Sequence, residues 1–354
     1  MRLLLEKRIV ERWWIKPLVT AVSLLLAFIA GAVVMQCSSI PPLEAYRLML
    51  AGAFGNAYGL SETVVKAIPL MMLGLGVGIA FRMLLWNIGA EGQYCMGAVF
   101  SCAVALAFPD LPRVLMIPLL ILAGFLGGAL WGAIPGALKA YFDTNEIITT
   151  LMMNYVAIYF LEFLVYGPWK DPQGYKFPMT AALSPSSHFT QFGNTRIHLG
   201  IVIALVLITL FHFVLTRTRW GYEIRVAGEN REAAKYSGIN ITRNILIVML
   251  ISGGIAGLTG TCELAGIQHR LQHGFDLGYG YTAIIIAWLA RLNPISTIVV
   301  SFFFAGLKVS GEHLQMSLGT GSGIAGMIQG IILFFVLAGE LFMNYRVSLR
   351  KDMK

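Results

Sequence analysis

Ten runs of about 17 to 22 mainly apolar residues divide this chain, and their length restricts what it can fold into. A helix rises 1.5 Å per residue and closes its backbone hydrogen bonds on itself, so about 20 apolar residues cross a hydrocarbon core of roughly 30 Å. The runs are 18–36, 62–82, 94–108, 114–136, 147–166, 199–215, 244–262, 280–290 extended into its flanks, 295–310 and 323–343. The third, eighth and ninth are short, so the count is nine or ten. Across 354 residues, 57% are hydrophobic and 12% charged, about half the charged share of a soluble domain. The expected fold class is all-α: a polytopic transmembrane helical bundle forming one domain over residues 1–354.

Lys and Arg set the orientation, because positive loops stay on the cytoplasmic side. With ten spans and the N-terminus inside, 18 of the 26 cations fall inside and 6 outside, while Lys66 and Lys308 lie within spans. Both termini are therefore expected to be cytoplasmic. The net charge of +8 needs no nucleic acid to explain it. The N-terminal cations precede an apolar run with no small-residue cleavage site, which predicts a retained first helix.

Chemistry on this chain is hard to find. Cys37, Cys95, Cys102 and Cys262 have no metal or redox spacing and sit mostly in apolar runs. No H-E-x-x-H, G-x-S-x-G or phosphate-binding G-x-x-x-x-G-K-[ST] pattern occurs. The expectation is no catalytic residue, no metal and no nucleotide site in this chain. Glu91, Glu146 and Glu263 are scattered acids without a nucleophile, which argues against a membrane-embedded enzyme.

One stretch breaks the oily pattern: "FRMLLWNIGAEGQYCMG", residues 81–97. An ionised carboxylate in hydrocarbon costs a few kcal/mol on insertion scales, so it faces water or a partner. Gly89 and Gly92 weaken helix continuity, Asn87 is placed to cap the half-helix that follows, and Glu91 falls in its first turn. This predicts a broken helix near 87–93, with Asn87, Glu91 and Gln93 lining a substrate pathway. On the alternative reading, 67–86 already spans the membrane and 87–93 is a cytoplasmic turn, with Glu91 solvated or paired to Arg82. A second polar cluster, "DTNEIITTLMMNY", puts Asn145, Glu146, Thr149, Thr150 and Asn154 at the start of the fifth run. Its i,i+4 spacing allows one stripe towards a channel; the alternative is helix capping and ordinary interhelical bonding. Gly124, Gly128, Gly132 and Gly136, with Gly253 and Gly257, repeat a small-x-x-x-small pattern that suits close helix packing.

Two hydrophilic segments remain. Residues 167–198 form the expected extracytoplasmic loop, suited to a soluble partner or to a plain connection. Residues 216–243 form the longest cytoplasmic segment, in which Asn230 can cap a short helix over "REAAKY" and Gly238 can stop it.

The pattern Glu232-Ala233-Ala234-x-x-x-Gly238 resembles the E-A-A-x-x-x-G loop of ABC importer permeases, whose short helix sits in a cleft of the ATPase. The I-x-L-P ending of the classical importers is absent from "ILIVML", which points to another branch. "FRMLLWNIGAEGQYCMGAV", "GALKAYFDTNEIITTLMMNYVA", "TRWGYEIRVAGENREAAKYSGIN" and "GGIAGLTGTCELAG" together resemble the nucleoside and simple-sugar permeases, relatives of the ribose type, from about residue 60 to 340.

The resemblance implies a permease subunit of an ATP-driven importer in the inner membrane of a prokaryote. It carries a polar small molecule by alternating access, a purine nucleoside first, with a ribose-like sugar or riboflavin as alternatives. Implied partners are an ABC ATPase that binds ATP and Mg, a second, non-identical permease and an extracytoplasmic substrate-binding protein. Asn230, Arg231, Glu232, Ala233, Ala234, Lys235 and Gly238 become the ATPase-coupling residues. An ion-coupled secondary transporter using Glu91 is the alternative class; it has no need of the E-A-A-x-x-x-G segment.

Overall fold

The computed structural model describes residues 2–7, 14–174, 177–319 and 323–350. Arg8, Arg12, Trp13, Lys176, Lys351 and Lys354, which enter the charge and aromatic expectations above, lie outside the described residues. The elements in order are β1 (Arg2–Lys7), α1 (Ile15–Cys37), α2 (Pro42–Phe54), α3 (Ala57–Arg82), α4 (Ala90–Ala107), α5 (Arg113–Phe142), α6 (Glu146–Tyr166), α7 (Gly200–Arg217), α8 (Arg219–Glu229), α9 (Arg231–Tyr236), α10 (Ile241–Glu263), α11 (Tyr279–Leu289), α12 (Pro294–Leu318), α13 (Gly323–Asn344) and β2 (Tyr345–Arg350).

The helical expectation holds, and three details are added. First, beside the helices β1 and β2 pair antiparallel, Arg2 opposite Arg350 and Lys7 opposite Tyr345. Second, six described helices are long and apolar enough to cross a membrane, or seven if the pair Ala21–Cys37 and Pro42–Phe54, bent by 115°, counts as one. The run at 280–290 is not a full span, because α11 has only 11 residues, about 16 Å of helix. Third, the break falls at 83–89, slightly before its expected place; helix resumes at Ala90, which puts Glu91, Gly92 and Gln93 inside α4.

The chain divides into two compact units, 61–305 and a second made of 1–60 with 306–354. In the second, α1 packs on α13. Ala27, Met35, Ala45, Met49, Leu314, Ile328 and Ile332 form its core, and Tyr46 donates to the Phe28 carbonyl at 2.7 Å.

The unit 61–305 is built on α4, α5 and α10. α5 and α10 touch through backbone: a Cβ on Gly128 meets the Gly253 carbonyl oxygen, and one on Gly132 stands 2.8 Å from the Met249 carbonyl oxygen. The small-residue pattern therefore serves packing within this chain. Ser101 joins the seam, 2.7 Å from the Thr261 hydroxyl and 3.1 Å from the Leu120 carbonyl oxygen. α10 ends in a π-helical turn, Leu264–Gln268, closed by His269 at φ +54°. From there the chain runs without helix to Gly278, where α11 begins.

Candidate functional site

The break between α3 and α4 leaves backbone groups without helical partners, most of them buried or half-buried. Asn87 of the break itself and side chains of α6 supply the missing partners. Asn87, fully buried, accepts from the Gly89 amide at 3.1 Å and donates to the Gln93 oxygen and the Ser252 hydroxyl, each at 2.9 Å. Gln93 donates back to Asn87 at 3.1 Å. Asn154 of α6 accepts from the Gly92 amide at 2.8 Å and donates to the Ile88 carbonyl at 2.9 Å and the Tyr281 hydroxyl at 3.3 Å. Gly92 is needed there, since a Cβ would stand 2.8 Å from the Asn154 Cα. Thr150 accepts from the Ile88 amide at 3.3 Å.

Glu91 is also fully buried, and its carboxylate reaches the start of α11. It accepts from the amides of Gly278 at 2.8 Å and Gly280 at 2.5 Å. These are orphan donors at a helix N-terminus, where the helix dipole also favours negative charge. At the other end of α11, Arg82 donates through Nε and Nη2 to the Leu292 carbonyl at 3.1 and 2.7 Å. Arg291 and Leu292 hold left-handed backbone there, φ +51° and +56°. Thus α11 is gripped at its positive end by an acid and at its negative end by a cation, one from each side of the α3–α4 break.

The expected pathway residues therefore separate into groups. Asn87, Glu91, Gln93 and Asn154 come together, but as a buried network whose bonds go to this chain. Asn145, Glu146 and Thr149 sit at the entry of α6: Asn145 caps the Ile147 and Ile148 amides, Glu146 pairs with Lys139 at 3.2 Å, and Thr149 bonds the Asn145 carbonyl. Lys139 also holds Asp143 at 2.8 Å, which lowers the carboxyl's pKa from its ordinary range. Ser252, Tyr281 and the two α11 amides were not expected. The sequence signal for Tyr281 and the two amides is "HGFDLGYGY", three glycines around an acid before an apolar run too short to span.

The segment 216–243 holds two helices, not one. In α9, Asn230 accepts from the Glu232 and Ala233 amides at 3.0 and 3.1 Å, Lys235 pairs with Glu232 at 2.9 Å, and Ala234 is buried. Gly238, at φ +74°, closes the helix, and the Ile239 amide bonds the Ala234 carbonyl at 3.0 Å. The preceding helix α8 carries Gly228 against the Arg82 carbonyl oxygen, so the segment bears on the residue that grips α11.

The loop 167–198 folds back on the end of α10. Leu183 bonds the His269 carbonyl at 2.9 Å and Phe189 the Ala265 carbonyl at 2.8 Å. His188 stacks on His269 at 3.9 Å. His198 is buried and accepts at Nδ1 from the Gly200 amide at 3.1 Å. Burial first, then the charges of His269 and Arg196, push its pKa down to about 4.

Known proteins are similar to this chain in sequence. A family described as "Branched-chain amino acid transport system / permease component" matches residues 59–337. A glucose ABC transporter permease of Haloferax volcanii is 34% identical over 96% of this chain and 92% of its own length. A guanosine ABC transporter permease of Bacillus subtilis is 33% identical over 90% of this chain and 92% of its own. A nucleoside ABC transporter permease of Lactococcus lactis is 29% identical over 91% and 90%. The chain belongs to this permease family. It is a multi-pass membrane subunit of an ABC importer and not an enzyme, which sets the ion-coupled alternative aside.

Proposed function

We propose that this permease takes up a purine nucleoside by alternating access, in the inner membrane of a prokaryote. Two of the three relatives described above carry nucleosides by name, and both match nine-tenths of this chain. The glucose relative, of slightly higher identity, favours a simple sugar as the second reading. ATP and Mg bind a partner ATPase, a substrate-binding protein delivers the ligand to the 167–198 side, and a second, non-identical permease completes the path. The cation asymmetry supports cytoplasmic termini, and the β1–β2 pairing supports one side for both segments.

The observation that carries the coupling assignment is α9 itself: a capped, mostly exposed helix whose Gly238 stop lies beyond Glu232-Ala233-Ala234, next to a helix that touches Arg82. Asn230, Arg231, Glu232, Lys235 and Gly238 shape and present it. ATP-driven closure of the partner moves this segment, and Arg82 passes the movement to α11. Nothing lies within 4 Å of a Cβ placed on Gly238, so its replacement acts through backbone strain, about 1–2 kcal/mol in the left-handed region. Gly238→Val is expected to lower recovery of a co-purifying ATPase and to uncouple hydrolysis from guanosine uptake. Full recovery with unaltered uptake overturns the assignment of α9 as the contact.

A further inference from the structure

Helices α5 and α10 run antiparallel, Gly124 beside Thr261 and Gly136 beside Met249, so the last turn of α5 lies next to the first turn of α10. α5 is about 45 Å long, more than a hydrocarbon core of roughly 30 Å, so it reaches past the apolar layer. The paired ends are polar, with Lys139 and Asp143 closing one helix and Asn240, Thr242 and Arg243 opening the other. Tyr141, 66% exposed, belongs to the same band, as tyrosine does at a membrane–water boundary.

A cavity of about 470 Å³ opens between these ends, lined by Tyr141, Asn240, Thr242, Arg243, Leu246 and Ile247. Its walls are of two kinds. Arg243 brings a cation and Tyr141 and Thr242 bring hydroxyls, while Leu246 and Ile247 stand one turn further along α10. On α5, Ile134 and Leu130 expose apolar side chains on the helix face of Tyr141. Arg243 is exposed and makes no ion pair among the described residues. The acids at these helix ends and on α8 are engaged elsewhere: Asp143 and Glu146 by Lys139 at 2.8 and 3.2 Å, and Glu223 by Arg219 at 3.0 Å and the Asn244 side chain at 3.1 Å.

We propose that this cavity holds the phosphate headgroup of an anionic glycerolipid. Arg243 takes the phosphate, the Tyr141 and Thr242 hydroxyls take the remaining headgroup oxygens, and an acyl chain lies along Leu246 and Ile247. The volume falls within the roughly 300–1,000 Å³ of small-molecule sites, more room than a lone ion needs. Basic pockets between membrane helices suit anionic headgroups, through charge and through paired guanidinium–phosphate hydrogen bonds. No acid lines the cavity to partner a choline or ethanolamine ammonium, which favours an anionic lipid over a zwitterionic one. Asn240, which caps α10 by accepting from the Arg243 amide at 2.9 Å, lies two residues beyond Gly238 and places the lipid beside the end of α9. The identity of the cargo does not enter.

The test uses the assembled importer in mild detergent, with native mass spectrometry reading the bound lipid. Phosphatidylglycerol, phosphatidylcholine of the same chains and inorganic phosphate are offered in turn. Wild type is expected to retain phosphatidylglycerol about tenfold better than phosphatidylcholine, Arg243→Gln to abolish that preference and Arg243→Lys to keep part of it. Arg217→Gln, which removes an exposed arginine outside the cavity, is expected to keep it in full. Ile247→Trp fills the cavity, leaves the cation and is expected to lose the preference, which decides the matter if Arg243→Gln does not assemble. Equal retention of the two lipids by wild type, the result a partner subunit covering the cavity would also give, overturns the proposal. Equal losses in Arg217→Gln and Arg243→Gln overturn it too. Release of bound phosphatidylglycerol by inorganic phosphate at equal concentration assigns the cavity to a soluble phosphate and overturns the lipid.

Discussion

Glu91 and Gly280 are 189 residues apart in the chain, and the carboxylate of one accepts the amide hydrogen of the other. That bond, with its companion to Gly278, fixes where a half-helix starts inside the membrane domain. The same half-helix is held at its far end by Arg82, so a break in one span and a break in another stabilise each other.

Removing the carboxylate should therefore act first on stability. Glu91→Ala leaves the buried Gly280 amide and the half-buried Gly278 amide without this acceptor, at about 1–3 kcal/mol for a buried one, whereas Glu91→Gln keeps an acceptor oxygen and costs less. Thermal unfolding in mild detergent is expected to rank wild type above Gln above Ala. Loss of uptake in Glu91→Gln with unchanged melting would assign Glu91 to the ligand instead.

Arg82 should separate hydrolysis from transport. It stabilises a turn in which two non-glycine residues, Arg291 and Leu292, hold positive φ at about 1–2 kcal/mol apiece. Arg82→Gln is expected to cut ligand moved per ATP hydrolysed several-fold in reconstituted vesicles, with Arg82→Lys partly restoring it because one donor is kept. An unchanged ratio would show that the Arg82–Leu292 contact carries no movement.

The α5–α10 seam should tolerate nothing larger than glycine at position 128. A side chain there meets the Gly253 carbonyl oxygen, and overpacking of this kind costs about 1–3 kcal/mol or more as the helices separate. Gly128→Val is expected to lower the melting temperature clearly, while Gly330→Ala, with nothing within 4 Å of the new Cβ, should leave it unchanged.

Acid should loosen the loop that ends at His198. In an unfolded loop a histidine takes a proton near pH 6.5, and folded His198 does so only at about 4, so the unfolded state binds more protons between those values. The loop's stability is full above pH 6.5 and falls as pH drops towards 4, by about 3 kcal/mol in all. Protonation at Nδ1 also removes the acceptor for the Gly200 amide. Around it, Arg196 is already engaged by Glu62 at 3.1 Å, and His188 and His269 face each other. Hydrogen exchange over residues 187–202 is expected to speed up at pH 5 relative to pH 7, and His198→Gln to flatten that difference.

Apolar run length determined the membrane domain, and local capping chemistry determined α9, since Asn230, the helix formers after it and Gly238 all act within eight residues. The glycine repeats likewise announced close packing. What they could not name was the partner, because Gly128 meets Gly253 only once two helices far apart in sequence are brought together. The polar residues of the break were visible as misfits in an oily sequence, but their use was not. An acid in an apolar run can face a ligand, water or another backbone, and those choices look the same along a chain. The fold brought the amides of Gly278 and Gly280 to Glu91 and the side chain of Asn154 to the Ile88 carbonyl, and buried the Glu91 and Asn154 side chains. Burial is what decided the matter: away from water each orphan backbone group must find a partner, and only the tertiary structure determines which side chains stand within reach.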